Sequence, residues 1–456
     1  SKSTLLSGFG RINYVLMDKY LFTVTGRADG SSKFGANNKW AFFPSFAAAW
    51  RINQEKFMKN IDWISNLKIR GSWGVTGNQN IPAYSSPEKM NTYTYPIGGV
   101  TSVGIGAGNM PNPDLKWETT AITDIGIDLG VFNNRINFTA DYYYKKTTDL
   151  LWNISVPLTT GFGTVLKNIG SLQNKGLELS LSADVLTGPF KWNTMLNWST
   201  NKNKVLEIPG YIPTQQGTIS GHLKVNGSWL EPGLPVGVWN LLKTNGVMRT
   251  EKEWQDAARV ADSNFDKIGD MSFVDKNGDG KISFGEDRQI VGDPNPDFIF
   301  GWTNNFSYKN FDLSVYINGS VGNDIYNVLR AETNIVSAWG NQRAEVKDRW
   351  TANNPNGKYP RAHVLVNQNL LQSDYLIEDG SFLRIQNVTL GYTFPKVSFL
   401  RSLRIYATAQ NLLTITGYSG YNPEVNSQGQ SNLQLGVDYN AYPTARSFIL
   451  GVNIGF

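Results

Sequence analysis

The last ten residues of the chain form a segment with two unlike faces, and this alternation restricts the possible folds most strongly. Large apolar residues alternate there with smaller, mostly polar ones: Phe448, Leu450, Val452, Ile454 and Phe456 against Ser447, Ile449, Gly451, Asn453 and Gly455. Successive side chains of a β-strand point to opposite faces, so the pattern predicts a strand with one apolar face. Ten tilted residues can cross the hydrocarbon core of a bilayer, with the terminal aromatic at the water interface. A last strand in a soluble sandwich would look the same, so the rest of the chain must decide.

The same alternation recurs along the chain and predicts about 13 strands. Turn residues such as Asp18-Lys19, Asn133-Asn134 and Lys309-Asn310 separate several of them. Asn-Asn between two alternating runs indicates a tight hairpin. Residues 53–66 read as a short helical connection, and a Gly/Pro/Asn-rich loop extends to about Leu115. The predicted strands are 3–17, 21–32, 39–52, 67–76, 124–131, 135–152, 176–185, 190–204, 297–308, 311–318, 381–393, 403–415 and 447–456.

The connections between these strands alternate in length. Short ones fall near residues 18, 60, 133, 188, 309 and 397, and mostly longer ones near 35, 95, 160, 250, 350 and 430. A membrane barrel has short periplasmic turns and long extracellular loops, whereas a sandwich has no reason for this asymmetry. The second face of the strands carries Asp, Glu, Arg, Asn and Gly where a sandwich needs an apolar core. The sequence therefore predicts an all-β, transmembrane, antiparallel up-and-down β-barrel in a lipid bilayer.

Composition excludes several other classes. The chain contains no apolar run of 18 residues and therefore no transmembrane helix, and it shows no signal-peptide pattern. The net charge of +5 is spread without basic runs, which argues against nucleic acid as a partner. A bacterial barrel needs an even strand number to leave no open edge in lipid. About 13 strands thus predict that this chain is the C-terminal part of a longer polypeptide.

Several ordered motifs carry a resemblance to a known family. They are GVTGNQN at 74–80, NPDLKWE at 112–118, DKNGDG at 275–280, GDPNPDF at 292–298, GNDIYN at 322–327, SFLRIQNV at 381–388, QNL at 410–412, YNPE at 421–424 and YPTARS at 442–447. Across residues 1–456 the chain resembles the C-terminal barrel region of SusC-like (SusC/RagA-type) TonB-dependent outer-membrane transporters of Bacteroidetes-type bacteria. The terminal strand ending at Phe456 is similar to the signal read by the barrel assembly machinery.

The resemblance implies a 22-stranded barrel filled by an N-terminal plug domain that is absent from this chain. It implies multi-pass insertion in the bacterial outer membrane, with extracellular loops and a periplasmic C-terminus. Uptake of a glycan, an oligosaccharide or an oligopeptide would be driven by TonB and assisted by a SusD-like surface lipoprotein that acts as a lid. The resemblance does not distinguish glycan from peptide.

A calcium-binding pattern lies within the long loop at about 206–296. Residues 275–286 match the twelve-residue loop of an EF-hand, which takes oxygen ligands from positions 1, 3, 5, 7, 9 and 12 and a glycine at position 6. The predicted ligands are Asp275, Asn277, Asp279, Lys281 through its carbonyl group, Ser283 and Glu286, with Gly280 at the turn. Asp287 is a rival acidic ligand. A Gly/Asp-rich turn held by its own hydrogen bonds is the alternative, and the predicted role of calcium is structural.

Other candidate residues favour structural roles. His222 and His363 are far apart and lack ligand spacing, so ordinary polar roles are favoured over metal binding or catalysis. Tryptophans in the predicted loops could stack on sugars or contact a lid, but packing or interface anchoring is favoured for each of them. These are Trp229, Trp239, Trp254, Trp339 and Trp350.

The leading functional prediction is a transporter without enzymatic activity, and no catalytic residue is assigned. The first alternative is an outer-membrane binding or adhesion barrel that does not transport. A barrel-embedded hydrolase and a soluble β-protein with a calcium loop are the remaining alternatives, and no Gly-x-Ser-x-Gly or Ser/His/Asp arrangement supports the hydrolase.

Overall fold

The strands of the chain are distributed over two compact units. A computed structural model describes residues 2–208, 214–215, 227–335, 341–365, 367–395, 400–427, 429 and 433–456. The first unit comprises residues 1–184 and 201–211, and the second comprises residues 185–200 and 212–456.

The first unit is built on an antiparallel sheet of long strands in chain order. They are β1 (Leu5–Leu16), β2 (Tyr20–Ser31), β3 (Trp40–Arg51), β4 (Ile64–Asn78), β5 (Glu118–Val131), β6 (Ile136–Thr148) and β7 (Ser171–Thr187), the last three residues of β7 being counted with the second unit. Each strand pairs with the next, and a short strand at Lys202–Glu207 pairs with the start of β7. The predicted Asn-Asn turn is confirmed, because Phe132, Asn133 and Asn134 all have positive φ angles near 57°. Asparagine adopts this left-handed conformation more readily than most residues.

Two short hairpins extend the first unit beyond this sheet. One pairs Met90–Ile97 with Val100–Ala107, and the other pairs Leu151–Ser155 with Thr164–Asn168. The prediction of an irregular loop from 77 to about Leu115 was therefore wrong in its middle. The predicted strand 135–152 ends instead at Thr148, because Asp149 takes a positive φ of 58° and breaks the extended backbone. Short 3-10 turns occur at Ile52–Gln54, Lys56–Met58 and Leu158–Thr160. The first two confirm the beginning of the helical connection predicted at 53–66, whereas its last three residues belong to β4.

The second unit contains the remaining long strands, again antiparallel and in chain order. They are β8 (Phe190–Ser199), β9 (Phe298–Tyr308), β10 (Phe311–Val321), β11 (Phe382–Phe394), β12 (Ser402–Thr416) and β13 (Ser447–Gly455). The predicted strand 190–204 stops at Ser199, and the segment from Lys202 belongs to the other unit. The thirteen long strands of the described residues agree with the predicted number.

The three long connections of the second unit pack together, and we call their described residues within 227–297, 322–381 and 417–446 the loop assembly. It contains three short α-helices: α1 (Glu251–Asp256), α2 (Val328–Asn334) and α3 (Gln368–Leu371). Turns of 3-10 helix lie at Ser263–Phe265, Ala344–Asp348 and Asp374–Leu376. Its short strands are Ser228–Leu230, Val238–Leu241, Thr244–Val247, Arg259–Val260, Met271–Phe273, Lys281–Ile282, Gln289–Gly292, Asp324–Asn327, Ile377–Asp379 and Val437–Asp438, and Thr214–Gln215 pairs with the first of them.

One apolar core holds the loop assembly together. Trp239, Tyr326 and Leu371 are each at most 1% exposed and belong to a single cluster that draws side chains from all three connections. Each fully buried large side chain contributes roughly 1.5–3 kcal/mol of hydrophobic free energy. These connections are therefore a folded structure rather than separate loops.

Connection length follows the predicted pattern with one exception. In the first unit the connections at 17–19 and 132–135 are short, and those at 79–117 and 149–170 are long. The connection at 32–39, however, is shorter than the one at 52–63. No helix in the described part of the chain combines the length and apolarity that crossing a bilayer requires.

Candidate metal-binding loop and the polar faces of the sheets

The two faces of each sheet differ in chemistry as predicted. Across β5 and β6, Ile125 lies opposite Tyr142 and Leu129 lies opposite Phe138, so one face is apolar. On the other face, Asp124 lies opposite Tyr143 and Asp128 opposite Thr139. Directly opposed side chains of paired strands point to the same face. This register therefore gathers apolar residues on one face of the sheet and polar residues on the other.

An ion-pair network occupies the polar face of the first unit. Arg70 Nη2 lies 2.6 Å from Asp141 Oδ2, and its other nitrogens lie 3.3 Å from Asp124 and 3.4 Å from Asp128. Lys68 Nζ lies 2.7 Å from Asp128 Oδ2. Three carboxylates and two cations leave one negative charge, held by residues from three neighbouring strands. A water-filled or protein-filled interior can hold such a network, whereas a lipid-facing surface cannot.

A cavity of about 690 Å³ lies against the same sheet of the first unit. Its polar lining includes Arg11, Arg27 and Asp29, with Arg27 Nε 2.7 Å from Asp29 Oδ2. Arg11 Nε donates a hydrogen bond to Thr25 Oγ1 at 3.1 Å. A concavity of this volume with a few polar groups has the size of a small-molecule site.

An arginine on the polar face of the second unit anchors one connection of the loop assembly. Arg384 is 3% exposed, and its Nη1 lies 2.6 Å from Glu424 Oε2. Its Nη2 donates to Asn422 Oδ1 at 2.6 Å, and its Nε donates to Thr414 Oγ1 at 3.0 Å. The guanidinium group thereby fixes the YNPE motif against β12 through three charge-assisted hydrogen bonds.

The predicted calcium loop is organised by hydrogen bonds from its own backbone. Asp275 accepts from the N–H groups of Gly278 at 2.7 Å and Gly280 at 2.8 Å. Asn277 Oδ1 accepts from Asp279 N at 3.0 Å, and Asp279 Oδ1 accepts from Lys281 N at 2.8 Å. In these successive turns the side-chain oxygens of positions 1, 3 and 5 accept hydrogen bonds from backbone N–H groups of the loop itself.

Gly280 stands at the position where the loop turns most sharply. Its φ angle is +79°, and a Cβ atom there would have no neighbour within 4 Å. Glycine is therefore required for its left-handed conformation and not for lack of space.

The two acidic residues at the end of the loop have different environments. Asp287 is fully buried, and its two carboxylate oxygens accept from Lys276 N at 3.0 Å and Ser283 N at 2.7 Å. Glu286 is exposed and accepts from the Asn277 amide at 3.3 Å. Asp287 thus connects the beginning of the loop to its end, while the Glu286 carboxylate is free to move toward a cation.

The predicted calcium loop is attached to the core of the loop assembly through Ile282 and its strand pairing. Ile282 is 5% exposed within that core, and Lys281–Ile282 pairs in parallel with Arg259–Val260. Beyond the loop, the Arg288 guanidinium lies 4.5 Å from the Trp229 ring centre and 5.4 Å from that of Phe284. Burial lowers the pKa of Arg288 from its ordinary value, and the stacked rings compensate through cation–π attraction.

The donor atoms of this loop suit calcium, since a hard divalent cation binds carboxylate, amide and backbone carbonyl oxygens. In the described part of the chain, no three His, Cys, Asp or Glu side chains are grouped so as to hold a metal ion on their own. A calcium ion at this loop would therefore depend on Asn277, Ser283 and the Lys281 carbonyl group as well as on the acidic residues.

The loop tryptophans within the described residues pack against other parts of the loop assembly. Trp239 is fully buried and its ring centre lies 5.4 Å from that of Tyr326. Trp229 is 7% exposed, Trp254 donates from Nε1 to the Asp266 carbonyl group at 3.0 Å, and Trp350 packs against the core. The packing interpretation is confirmed for these four. Trp339 lies outside the described residues, as does His222.

His363, the other histidine, is part of a buried polar cluster. Its Nε2 lies 2.6 Å from Asp270 Oδ1, and Arg361 Nε lies 2.8 Å from the same oxygen. The Asp270 side chain is fully buried, and its Oδ2 also accepts from Lys267 N at 3.0 Å. This arrangement fixes one connection of the loop assembly against another, which agrees with the expected ordinary polar role.

Comparison with known proteins decides the family. Residues 1–280 match the family described as "TonB dependent receptor-like, beta-barrel". The chain is 35% identical over 478 residues to the TonB-dependent receptor SusC of Bacteroides thetaiotaomicron, covering 100% of this chain and 44% of that protein. The chain belongs to the TonB-dependent receptor family. The receptor barrels of this family are transmembrane, so the chain is a portion of an outer-membrane β-barrel and the apolar faces of its strands contact lipid.

Other relatives support the same assignment. The TonB-dependent receptor P3 of Formosa agariphila is 37% identical over 467 residues, covering all of this receptor chain and 46% of that protein. Among solved structures, the RagAB peptide transporter superposes with a TM-score of 0.84 at 24% identity, covering 100% of this chain and 47% of that one. This last similarity shows the fold. The chain spans about half the length of the curated relatives it matches.

Proposed function

We propose that the complete protein is a TonB-dependent importer that carries a nutrient across the bacterial outer membrane. The main support is the 35% identity to SusC across this entire chain. The structure adds a polar inner face with the Arg70 network, which suits an interior that holds a plug domain and water. This chain would then supply the C-terminal part of the barrel (residues 1–456), and the plug would come from the rest of the polypeptide.

The proposed importer has a SusD-like lipoprotein as its lid and takes a glycan, an oligosaccharide or an oligopeptide. The support is similarity alone: SusC by sequence, and a neighbour described as a peptide transporter by fold. In this arrangement the long connections, including the loop assembly, face the exterior, and the turns such as 132–135 and the C-terminus face the periplasm. The protein acts without enzymatic chemistry.

Uptake measurements separate this proposal from the adhesion alternative. The complete receptor is expressed in a native host and in a strain that lacks TonB, and accumulation of labelled candidate glycans and peptides is measured. An importer accumulates its ligand only when TonB is present. An adhesion barrel binds ligand at the surface equally in both strains. Purification in mild detergent followed by mass spectrometry tests the lid, which should copurify as a lipoprotein.

The loop at 275–286 is proposed to hold a structural calcium ion that stiffens the loop assembly. Asp275, Asn277, Asp279, Ser283 and Glu286 would supply side-chain oxygens, and Lys281 would supply its carbonyl oxygen. The support is the sequence of Asx turns together with the attachment of Ile282 to the core. Glu286 is the proposed acidic ligand at the end of the loop, since Asp287 is fully buried whereas Glu286 is exposed and lies beside Asn277.

A pair of substitutions tests this assignment. Glu286→Gln should weaken calcium binding by about tenfold or more, because calcium affinity depends on the number of charged ligands, and it should leave the calcium-free protein unchanged. Asp287→Ala should instead remove hydrogen-exchange protection at the amides of Lys276 and Ser283 even in a chelator. Calcium affinity is measured by isothermal titration calorimetry on the complete receptor. Unchanged affinity in Glu286→Gln would reject Glu286 as a ligand, and no calcium binding to the wild type would reject the site.

A further inference from the structure

The hairpin Met90–Ile97/Val100–Ala107 of the first unit has an unusual surface. Its residues 90–107 include no charged side chain. Every residue of the first strand is exposed, and the second strand alternates between exposed and half-buried. Gly98 and Gly99, with φ angles of +59° and +80°, form the turn between the strands. A contiguous exposed apolar surface of this kind often marks an interaction site or a ligand-binding groove.

Two tyrosines lie flat on one face of this hairpin. Tyr93 and Tyr95 are two residues apart on one strand, so they share a face. A Cβ atom placed on Gly104 would lie 2.4 Å from Tyr95 Oη and 2.6 Å from its Cε1. A Cβ on Gly106 would lie 3.1 Å from Tyr93 Cε2. Each ring therefore rests across a glycine of the facing strand, where any larger residue would displace it.

The outer surface of both rings remains open. Tyr93 and Tyr95 are each 47% exposed, and Tyr93 Oη donates a hydrogen bond to the Ala107 carbonyl group at 2.8 Å. The hydrogen bond fixes the Tyr93 ring in its flat orientation. Asn91 and Ser102 lie on the same face and provide neutral hydrogen-bonding groups beside the rings. The result is an uncharged aromatic surface with polar groups beside the rings and with the exposed side chains of Ile97 and Val100 at the turn end of the same face.

This combination matches the chemistry of a neutral sugar. One face of a pyranose ring presents C–H groups that pack against the electron-rich face of an aromatic ring. The hydroxyl groups at the sugar rim then require neutral donors and acceptors such as the amide and hydroxyl groups named above. A charged ligand would find no countercharge anywhere on residues 90–107.

The area of the tyrosine face favours a small ligand over a protein. Eight residues at about 3.3 Å each and two strands about 4.8 Å apart give a face of roughly 27 by 10 Å, or about 270 Å². A stable protein interface buries about 800 Å² on each partner. The tyrosine face alone can cover two or three sugar rings but not a protein interface of ordinary size.

We propose that Tyr93 and Tyr95 form a stacking platform that captures a neutral oligosaccharide. The inference extends the proposed function, because it takes the hairpin to lie on the outward-facing side of an importer and selects a neutral glycan as the captured class. Its role would be to raise the local concentration of ligand near the barrel, and it requires no chemical step.

Binding to the complete receptor in detergent tests the platform. The probes are maltohexaose, cellohexaose, laminarihexaose and mannohexaose, with hexagalacturonate as the acidic comparison and a Ser/Thr/Ala hexapeptide as the peptide comparison. Affinities are measured by isothermal titration calorimetry. The double substitution Tyr93→Ala/Tyr95→Ala is compared with Thr94→Ala/Ile105→Ala, which alters the opposite face of the same hairpin.

The double substitution Tyr93→Ala/Tyr95→Ala should weaken binding of at least one neutral hexasaccharide by about tenfold for each ring removed. The control substitution Thr94→Ala/Ile105→Ala should leave this binding unchanged. Gly104→Val should also weaken binding, since it keeps both tyrosines but displaces the Tyr95 ring. Tyr95→Phe should retain affinity.

Several results would overturn the proposal. They are no binding of any neutral hexasaccharide by the wild type, equal losses in the two double variants, or tyrosine-dependent binding of only the peptide or the acidic sugar. A different outcome is that the wild type binds no sugar but copurifies with a lid protein, and that both double variants lose this lid. That outcome would identify the hairpin as a protein interface instead. Failure of the importer proposal can be distinguished from failure of the platform. If the protein is not an importer, uptake will not depend on TonB. Failure of the platform would leave TonB-dependent uptake intact with an unchanged KM in the tyrosine variant.

Discussion

The strands of the second unit expose large apolar side chains, whereas its loop assembly buries them. In β13, Phe448 and Leu450 are 76% and 84% exposed. In the loop assembly, Trp239 and Leu371 are at most 1% exposed. Apolar side chains leave water in both cases. The strands transfer them to lipid, and the loop assembly transfers them to a protein core, as a water-soluble domain does.

This difference shows that apolar side chains stabilise the two regions of this unit in different ways. A strand in a barrel needs only a neighbouring strand for its hydrogen bonds and lipid for its apolar face. The loop assembly lacks lipid and must form a core from segments distant in the chain. Substitutions should therefore have different costs in the two regions, and three experiments examine this.

The largest expected effect is in the core of the loop assembly. Trp239→Ala should destabilise this assembly by about 3–5 kcal/mol, because it opens a large cavity beside Tyr326. Hydrogen exchange measured by mass spectrometry should show lost protection in 238–241 and 324–327 and unchanged protection in β9 to β12. Simultaneous loss in the strands would show that the two regions unfold as one.

Trp239→Phe is the matched control for this experiment. The Trp239 Nε1 atom is buried and, among the described residues, has no hydrogen-bond partner. Phenylalanine therefore removes an unsatisfied donor while it keeps most of the ring, and a much smaller loss is expected than for alanine.

The next effect compares neighbouring residues of β13. Leu450→Arg should cost about 2–4 kcal/mol, since it places a charge on the lipid face near the middle of the strand. Ile449→Arg should cost close to nothing, because Ile449 lies on the polar face opposite Thr408. Urea unfolding of the complete receptor in lipid vesicles measures both. Equal costs would contradict the assignment of the two faces.

The smallest effect concerns pH and the loop assembly. Burial raises the pKa of Tyr375 to about 12, with nearby Arg330 acting in the opposite direction. Burial also raises the pKa values of Tyr326 and Tyr418, with hydrogen bonding to Asp438 adding to the effect at Tyr418. A raised pKa favours the neutral phenol in the folded state. The corresponding stability is complete below the ordinary pKa of about 10 and is lost as the pH rises through about 12.

Tyr375→Phe should therefore shift the alkaline unfolding of the loop assembly to slightly higher pH. Tyrosinate absorbance and tryptophan fluorescence, followed across the alkaline range, measure ionisation and unfolding separately. The exposed Tyr442, 91% accessible, provides the control position. An equal shift in Tyr442→Phe would exclude burial of Tyr375 as the cause.

Local patterns in the sequence determined much of this protein. The thirteen long strands and their polar and apolar faces were predictable, because the two-residue period of a strand is visible in the chain itself. The turn at Asn133 and the Asx turns from Asp275 to Lys281 were predictable for the same reason, since each depends on residues only two to five positions apart. The family resemblance was also carried by contiguous motifs, and comparison with SusC confirmed it.

Only the tertiary structure decided where the residues of the loops lie. The core around Trp239 brings together Tyr326, Leu371 and Val437, which are separated by tens of residues and share no period. The difference between Glu286 and Asp287 depends on which of two adjacent carboxylates turns inward. The flat tyrosines of the hairpin depend on the register that places Gly104 and Gly106 beneath them. The folded backbone decides these contacts, because it brings the core residues together from distant segments and fixes the orientation of side chains that are close in the chain.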